Sequence, residues 1–119
     1  MPFAVPDPVS STLHAALDGL ALRQRVVADN IANVDTPHYR ASSVVFEDSL
    51  RTAVRDGSVM SDPITPAVEA TRTPVGANGN NVDLRKETMA AMQSLFQYQM
   101  MTRAVSDREA LLRTVATGA

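Results

Sequence analysis

The sequence predicts an all-α protein in which long N- and C-terminal helices pair as a coiled-coil-like hairpin, with a short middle helix and an irregular Pro/Gly-rich connection. Three observations support this fold class. Apolar residues recur at heptad spacing near both ends of the 119-residue chain. The middle of the chain is instead rich in Pro, Gly and Asn. Only 4% of the residues are aromatic, so aliphatic side chains must fill the interior, which suits helix packed against helix.

Composition limits the functions open to this chain. A formal net charge of -2 and a pI near 5.6 oppose nucleic acid as a partner, because phosphate binding needs a basic surface. A DNA-binding helical module is therefore disfavoured. Cysteine is absent, which excludes disulfides, thiolate catalysis and cysteine-based metal sites. No apolar stretch approaches the roughly 20 residues that span a bilayer, so we expect no membrane insertion.

The N-terminal residues 1–10 are predicted to form an extended tail, because three prolines there fix φ and lack amide donors. They contain no basic segment followed by an apolar one, so we expect no cleavable secretory signal. The N-terminal helix is predicted over residues 11–34. Its cap is expected to be one of the hydroxyl side chains of Ser10, Ser11 or Thr12.

This first helix carries a 4-3-4-3 heptad of mostly apolar residues: Leu13, Leu17, Leu20, Gln24, Val27, Ile31 and Val34. The spacing fits a coiled coil and an ordinary amphipathic helix equally well. Gly19 lowers helix propensity by about 1 kcal/mol relative to Ala, which indicates that another group approaches the backbone closely there. Pro37 disfavours helical geometry at the residue before it, so the helix must end earlier.

The middle of the chain divides into a turn with a short helix, residues 35–58, and a flexible linker, residues 59–81. Apolar residues at helical spacing begin at Phe46 and stop before Gly57, which predicts the short helix. The linker contains three prolines and two glycines among scattered aliphatic residues. Such a segment buries too little apolar surface to offset its ordering entropy, so we expect it to be mobile in the free protein.

The C-terminal helix is predicted over residues 82–117, with Asn81 or Asp83 as its cap. One face repeats every seven residues: Leu84, Ala91, Tyr98, Val105 and Leu112. Between Glu87 and Arg103 no residue is charged, which leaves about 24 Å of helix without an obvious solvated face. Either this is the core helix of one small domain, or neighbouring subunits cover it; the first helix alone covers only one stripe.

Groups that carry chemistry are scarce. His14 and His38 are the only histidines, lie in different predicted elements and have no carboxylate at ligand spacing. The segment 78–89 faintly resembles a calcium loop but has Met89 where a bidentate Glu is required, so a turn is the better interpretation. We therefore expect a structural protein with no catalytic residues, no metal and no cofactor.

The segment 28–40 resembles the N-terminal motif of the rod, hook and hook-associated proteins of the bacterial flagellum, approximately A-x-N-I-A-N-x-x-T-P-G-Y-K. The matching residues are Ala28, Asn30, Ile31, Ala32, Asn33, Thr36, Pro37, Tyr39 and Arg40. The segments 79–84, 97–99 and 111–114 are similar to the proximal rod members of this family. His38 stands where the family has Gly, which disfavours the turn if it needs a positive φ.

This resemblance implies a structural subunit of the proximal rod of the flagellar basal body, which transmits motor torque across the periplasm. It implies assembly with other copies of itself, with the rod proteins FlgC, FlgF and FlgG, with the rod-base adaptor FliE and with the MS ring. It further implies export by the flagellar type III apparatus without a cleavable signal. The alternatives are the sister proximal rod protein FlgC and a small helical type III export chaperone or adaptor.

Roles for particular residues follow from the resemblance together with the periodicity. Packing between the two long helices within a subunit is assigned to Leu17, Leu20, Val27, Ile31, Leu84, Ala91, Tyr98 and Val105. Packing between subunits is assigned to Met89, Met92, Phe96 and Met100. The turn that fixes the outer loop is assigned to Asn30, Ile31, Ala32, Asn33, Thr36, Pro37, Tyr39 and Arg40.

Overall fold

The computed structural model of the protein describes residues 7–62 and 64–118. The elements, in chain order, are helix α1 (Pro8–Ala32), strand β1 (Ser42–Val45), helix α2 (Glu47–Asp56), a single 3-10 turn (Ser58–Met60), strand β2 (Ala67–Ala70) and helix α3 (Leu84–Thr117). The long helices α1 and α3 pack along each other, and the principal extents are 64 × 27 × 19 Å. The molecule is therefore mostly helical and elongated.

Helix α1 begins three residues earlier than the sequence predicts. Asp7 caps it, accepting hydrogen bonds from the amides of Val9 and Ser10 at 2.9 and 3.0 Å. Pro8 then occupies the first helical turn, where its missing amide costs nothing because that amide would have no helical partner. The prolines predict an extended tail, yet Pro8 starts the helix. The rest of the predicted tail, residues 1–6, lies outside the described residues.

The ends of the other two helices agree with their predicted signals. Gly57 ends α2 in the left-handed conformation at φ 82°, where glycine carries no side-chain penalty. Asp83 caps α3, and its side chain accepts a hydrogen bond from the Lys86 amide at 3.1 Å. Both predictions are confirmed.

The connection between α2 and α3 is not wholly irregular, and the all-α prediction is to that extent wrong. Strands β1 and β2 form a two-stranded antiparallel sheet in which Ser42 is opposite Ala70 and Val45 is opposite Ala67. The four residues of β2 do not alternate between apolar and polar, so no sequence pattern indicates a strand there. All four are exposed in the structure. Backbone pairing with β1, rather than side-chain burial, holds this segment in place.

The core lies where α1 crosses β1 and the start of α2. Leu20, Val44 and Phe46 form it, each 4% exposed, and Tyr98 and Met101 of α3 pack against it. A Cβ at Gly19 would lie 2.6 Å from the Phe46 ring, so only glycine admits the ring at this point. The close approach predicted at Gly19 is thus confirmed, and its partner is an aromatic side chain.

Candidate functional site: the asparagine junction and the outer face of α3

Asn30, near the C-terminal end of α1, is fully buried and bonds to the edge of the sheet. Its amide nitrogen donates to the Ser42 carbonyl at 2.7 Å, and its oxygen accepts from the Ser42 amide at 3.1 Å. The Tyr39 hydroxyl donates to the same oxygen at 3.3 Å. The side chain of Asn30 therefore satisfies the β1 edge in the way a third strand would.

Asn80, just before α3, forms hydrogen bonds with the backbone that follows α1. Its amide nitrogen donates to the carbonyls of Asn33 and Thr36, at 2.8 and 2.7 Å. Asn33 is the C-cap of α1 and Thr36 lies in the turn after it, so the two bonds hold this turn against the start of the segment that leads into α3. Asn33 itself accepts from the Thr36 hydroxyl at 3.0 Å, which tightens the same turn.

Asn81 ties the start of α3 to both strands. Its side-chain oxygen accepts from the Ala41 amide at 2.6 Å, and its nitrogen lies 3.3 Å from the Thr73 carbonyl. Asn30, Asn33, Asn80 and Asn81 together form what we call the asparagine junction. It joins the two sequence motifs, 40 to 50 residues apart, into one hydrogen-bonded unit.

The turn next to the junction contains a left-handed residue that is not glycine. His38 has φ 65°, its amide donates to the Asn78 carbonyl at 3.0 Å, and its imidazole lies against Gly79. Gly79 is also left-handed, at φ 80°, and a Cβ there would collide with the imidazole. The turn thus needs the positive φ for which glycine is favoured, and His38 adopts it at some cost.

The residues of the N-terminal motif divide between the junction and the surface. Asn30 is buried, while Ile31, Asn33 and Tyr39 are half-buried; those at the surface are Ala32, Thr36, Pro37 and Arg40. Burial raises the pKa of the Tyr39 hydroxyl, and the nearby charges of Asp29 and Glu87 add to the effect. Tyr39 therefore remains a neutral donor to Asn30 throughout the physiological range.

Two arginines link α1 to other elements of the fold. The Arg23 guanidinium lies 4.9 Å from the centre of the Phe46 ring and donates at 2.6 Å to both the Val44 carbonyl and Glu47. The hydrogen bond from Arg23 holds the pKa of Glu47 below its ordinary value. At the N-terminal cap of α1, Arg108 of α3 contacts Asp7 at 3.2 Å, and the amide and hydroxyl of Ser10 lower the pKa of Asp7 more than Arg108 does.

On the face of α3 that packs against α1, both core positions of the heptad point inward. The sequence pattern identified only one of these two positions. Buried and half-buried residues at alternating spacings of four and three are Glu87, Ala91, Ser94, Tyr98, Met101, Val105, Arg108 and Leu112. Leu84, by contrast, is 49% exposed. Glu87, Ser94 and Arg108 were missed because they are polar, although their seven-residue spacing beside Ala91 and Tyr98 was a usable signal.

The opposite face of α3 is apolar and open. Met89, Met92, Phe96 and Met100, which we call the outer stripe, are 65%, 69%, 62% and 52% exposed. Leu95 beside them is 50% exposed. Contiguous exposed apolar side chains of this size are typical of a surface that another protein covers.

The described residues offer little for catalysis or metal binding. Within residues 7–62 and 64–118, no three His, Asp or Glu side chains come together in a way that could hold a metal ion. In the same part of the chain, no helix is both long and apolar enough to cross a membrane. A helix pair with a rigid junction and an open apolar face defines a structural subunit built for assembly.

Comparison with known proteins agrees with this class. The family of flagella basal body rod proteins matches residues 12–40. The chain is 32% identical to flagellar basal body rod protein FlgB of Bacillus subtilis over 117 residues, covering 89% of this chain and 91% of the relative. It is 34% identical to FlgB of Borreliella burgdorferi (75% and 81% covered) and 31% identical to FlgB of Escherichia coli K12 (76% and 80%).

The chain belongs to the FlgB family of flagellar basal body rod proteins. It is a structural subunit of the proximal rod of the flagellar basal body and not an enzyme. The sister protein FlgC and an export chaperone, the two alternatives left by the sequence, are not favoured, since the relatives compared above all carry the FlgB name.

Proposed function

We propose that the outer stripe of α3 is the surface through which this subunit packs against neighbouring subunits of the rod. The observation that carries the proposal is the exposure of Met89, Met92, Phe96 and Met100, each more than half accessible. Thioether side chains adapt to surfaces that are not identical, which suits a subunit at a boundary between different rod proteins. Head-to-tail contacts of this kind build a helical tube because they do not close.

Within the subunit, α1 and α3 form the rod core domain, as a coiled-coil-like pair. Leu20 and Val27 are buried on α1, and Leu17 and Ile31 are half-buried. On α3 the half-buried partners are Ala91, Tyr98 and Val105. The exposure of Leu84 supports a role at the margin of this seam, next to the junction. Residues 11–34 and 82–117 would thus supply the core domain, and residues 35–58 and 59–81 its outer arm.

The asparagine junction sets the direction in which the outer arm leaves the helix pair. Asn30 fixes the start of β1, and Asn80 fixes the turn after α1. Pro37 and Arg40 stand exposed on that turn, in a position to contact a neighbouring subunit. The junction would hold these groups at a constant distance from the outer stripe.

Membership of the rod family supports the following proposal for the partners and the location. Other copies of this chain and the rod proteins FlgC, FlgF and FlgG would share the lattice, with FliE and the MS ring at its base. The subunit would reach the periplasm through the flagellar type III apparatus, without removal of a signal peptide. No cofactor, nucleic acid or membrane insertion enters this function.

The test replaces two apolar side chains of the outer stripe by charges. The double variant Met92→Lys/Phe96→Lys should abolish rod assembly and swimming, because it buries two cations between subunits. Export of the variant should continue, which is measured as the amount of protein outside the cytoplasm. Thr52→Lys, at an exposed position of α2 between Asp48 and Asp56, is the matched control. Normal motility of the stripe variant would refute the proposed interface.

A further inference from the structure

Asn78 is followed by Gly79, and none of the chain's other asparagines precedes a glycine. An asparagine side chain can react with its own main chain, because the next backbone nitrogen lies within reach of the side-chain carbonyl carbon. A side chain on the following residue hinders that approach, and glycine has none. Asn78 is exposed and belongs to the turn that leads into the asparagine junction. The pair therefore has the composition of a site that modifies itself.

Hydrogen bonds on both residues restrain this pair in the folded subunit. The Gly79 amide donates to the Gly76 carbonyl at 3.0 Å, so the nitrogen that would attack is engaged. The Asn78 side-chain oxygen accepts from the Asn80 amide at 3.2 Å, which fixes the side chain. The Asn78 backbone carbonyl accepts from the His38 amide at 3.0 Å, and the His38 imidazole lies against Gly79. Cyclisation of the pair would break the first two of these bonds.

We infer that Asn78 is a deamidation site, which the folded turn protects and the open chain exposes. The Gly79 nitrogen loses its proton and attacks the side-chain carbonyl carbon of Asn78. The bond from that carbon to the side-chain nitrogen breaks, and this nitrogen takes up a proton and leaves as ammonia. Water then opens the cyclic succinimide at either of its carbonyls. One opening gives aspartate, and the other gives isoaspartate, in which the main chain runs through the former side chain.

The two products differ in what they do to the turn. Aspartate at position 78 keeps the length of the main chain, and its carboxylate still accepts from the Asn80 amide. Isoaspartate adds a carbon atom to the main chain and turns the carbonyl that accepts from the His38 amide into a free carboxylate. The added carbon shifts Asn80 away from the carbonyls of Asn33 and Thr36, to which it donates at 2.8 and 2.7 Å. A subunit with isoaspartate therefore cannot rebuild the asparagine junction.

The time that a chain stays open decides how many subunits are lost in this way. Ammonia leaves the molecule, so the chain cannot reverse the step by itself. A subunit that has formed the junction keeps Asn78, whereas an open one accumulates isoaspartate and with it loses the ability to fold correctly. The protection comes from the asparagine junction and does not involve the outer stripe, so the rod interface proposed above can fail without affecting it.

The reactive site is tested in the open chain, held in guanidinium chloride at mildly alkaline pH. Trypsin releases the segment 73–85, and fragmentation mass spectrometry locates each change from amide to acid within it. Asn80 and Asn81 in this segment are internal controls, because residues with side chains follow them. We expect only Asn78 to be converted, and Gly79→Ala should slow its conversion about tenfold. Equal conversion of all three asparagines, or an intact Asn78, would overturn the site.

The protection is tested in the assembled subunit. Basal bodies are isolated, held in the same buffer without denaturant, dissociated in acid and digested as before. We expect conversion of Asn78 to be at least about tenfold slower than in the open chain, because two hydrogen bonds must break first. Basal bodies that carry Asn78→Ser, which has no amide to lose, give the background of the measurement. Equal rates in the assembled and open forms would overturn the protection.

The consequence for folding is tested by separating the two products of one sample by chromatography. They have the same atoms and differ only in the path of the main chain at position 78. The encoded variant Asn78→Asp is the matched control for the aspartate product. After refolding, we expect the isoaspartate form to have an unfolding equilibrium constant about tenfold higher or more than the aspartate form, measured by denaturant titration. Equal unfolding curves for the two products would overturn the loss of the junction.

Discussion

Replacing Asn30 by alanine should destabilise the subunit more than most single changes, because the side chain carries three hydrogen bonds at a fully buried position. In an antiparallel ladder, hydrogen-bonded and non-hydrogen-bonded residue pairs alternate. The Thr71 amide donates to the Ala41 carbonyl, so the next pair, Ser42 and Ala70, is not hydrogen-bonded and its backbone groups point away from each other. The amide and carbonyl of Ser42 therefore point toward α1. Asn30→Ala leaves both without a partner.

The expected loss is about 3 kcal/mol, from three bonds at about 1 kcal/mol each, with more if Ser42 stays buried and unpaired. A domain of this size is stabilised by about 5–15 kcal/mol in total, so the change removes a large share. With a urea m-value of about 2 kcal/mol/M, the unfolding midpoint should fall by about 1.5 M. Urea titration followed by circular dichroism measures the shift, and hydrogen exchange at the Ser42 amide reports it locally.

Asn30→Asp separates the donor from the acceptor role at the same position. Aspartate can still accept from the Ser42 amide. However, an ionised carboxylate oxygen would take the place of the Asn30 nitrogen, which lies 2.7 Å from the Ser42 carbonyl oxygen, so two acceptors would face each other. Burial should raise the carboxyl pKa in the folded state, so the protonated acid is the form that fits. The variant should therefore lose least stability at low pH and progressively more as the pH rises.

Arg25→Ala, an exposed position on the same helix, is the control and should change stability by about 0.5 kcal/mol or less. An Asn30→Ala midpoint within error of the Arg25→Ala midpoint would refute the role given to the junction. So would unchanged exchange at the Ser42 amide. A stability of Asn30→Asp that does not depend on pH would refute the donor assignment.

Three further outcomes are expected. His38→Gly should raise the free energy of unfolding by about 1 kcal/mol, because it removes a side chain from a left-handed residue; a decrease in melting temperature would contradict this. Gly19→Ala should cost about 1–3 kcal/mol despite its better helix propensity, and Phe46→Leu in the same chain should recover part of the loss in thermal unfolding. The Glu47 carboxylate, with its pKa lowered by Arg23 from an ordinary 4.5, should contribute roughly 0.2–1 kcal/mol above that pH and lose it as the pH falls further. Glu47→Gln should remove this part of the acid dependence of the unfolding midpoint, and an unchanged acid titration would count against the contact.

Helix positions could be predicted from the sequence because their signals are local. Asp83 and Gly57 act on amides and carbonyls within a few residues, so their effect depends on nothing distant. Asp7 acts by the same chemistry, but the prolines beside it predict an extended tail and conceal the cap. The two local signals here are the Asp7 cap and the prolines. Proline at the first helical position is compatible with a helix, so Pro8 supports the helix start that Asp7 caps.

Strand β2 and the junction could not be predicted, because what holds them is distant in sequence. Residues 67–70 carry no apolar alternation, and they are strand only because β1 lies beside them. Asn80 looked like part of a turn, yet its amide caps a helix that ends nearly fifty residues earlier. A single sequence contains no sign of such pairings.

If the outer stripe packs against neighbours as we propose, the distribution of apolar surface would couple folding of this subunit to its assembly. Among the described residues, the buried apolar side chains gather around α1, β1 and α2, whereas α3 contributes Glu87 and Ser94 to its own buried face. The large apolar side chains of α3, from Met89 to Met100, point outward instead. In the interface we propose, burying them against neighbours would add stabilisation that the free subunit lacks, and mass action would then favour the folded state in the rod. The uncharged segment of α3 thus has two different faces: an inward face with Ala91, Ser94 and Tyr98, and the exposed outer stripe that we propose neighbouring subunits cover.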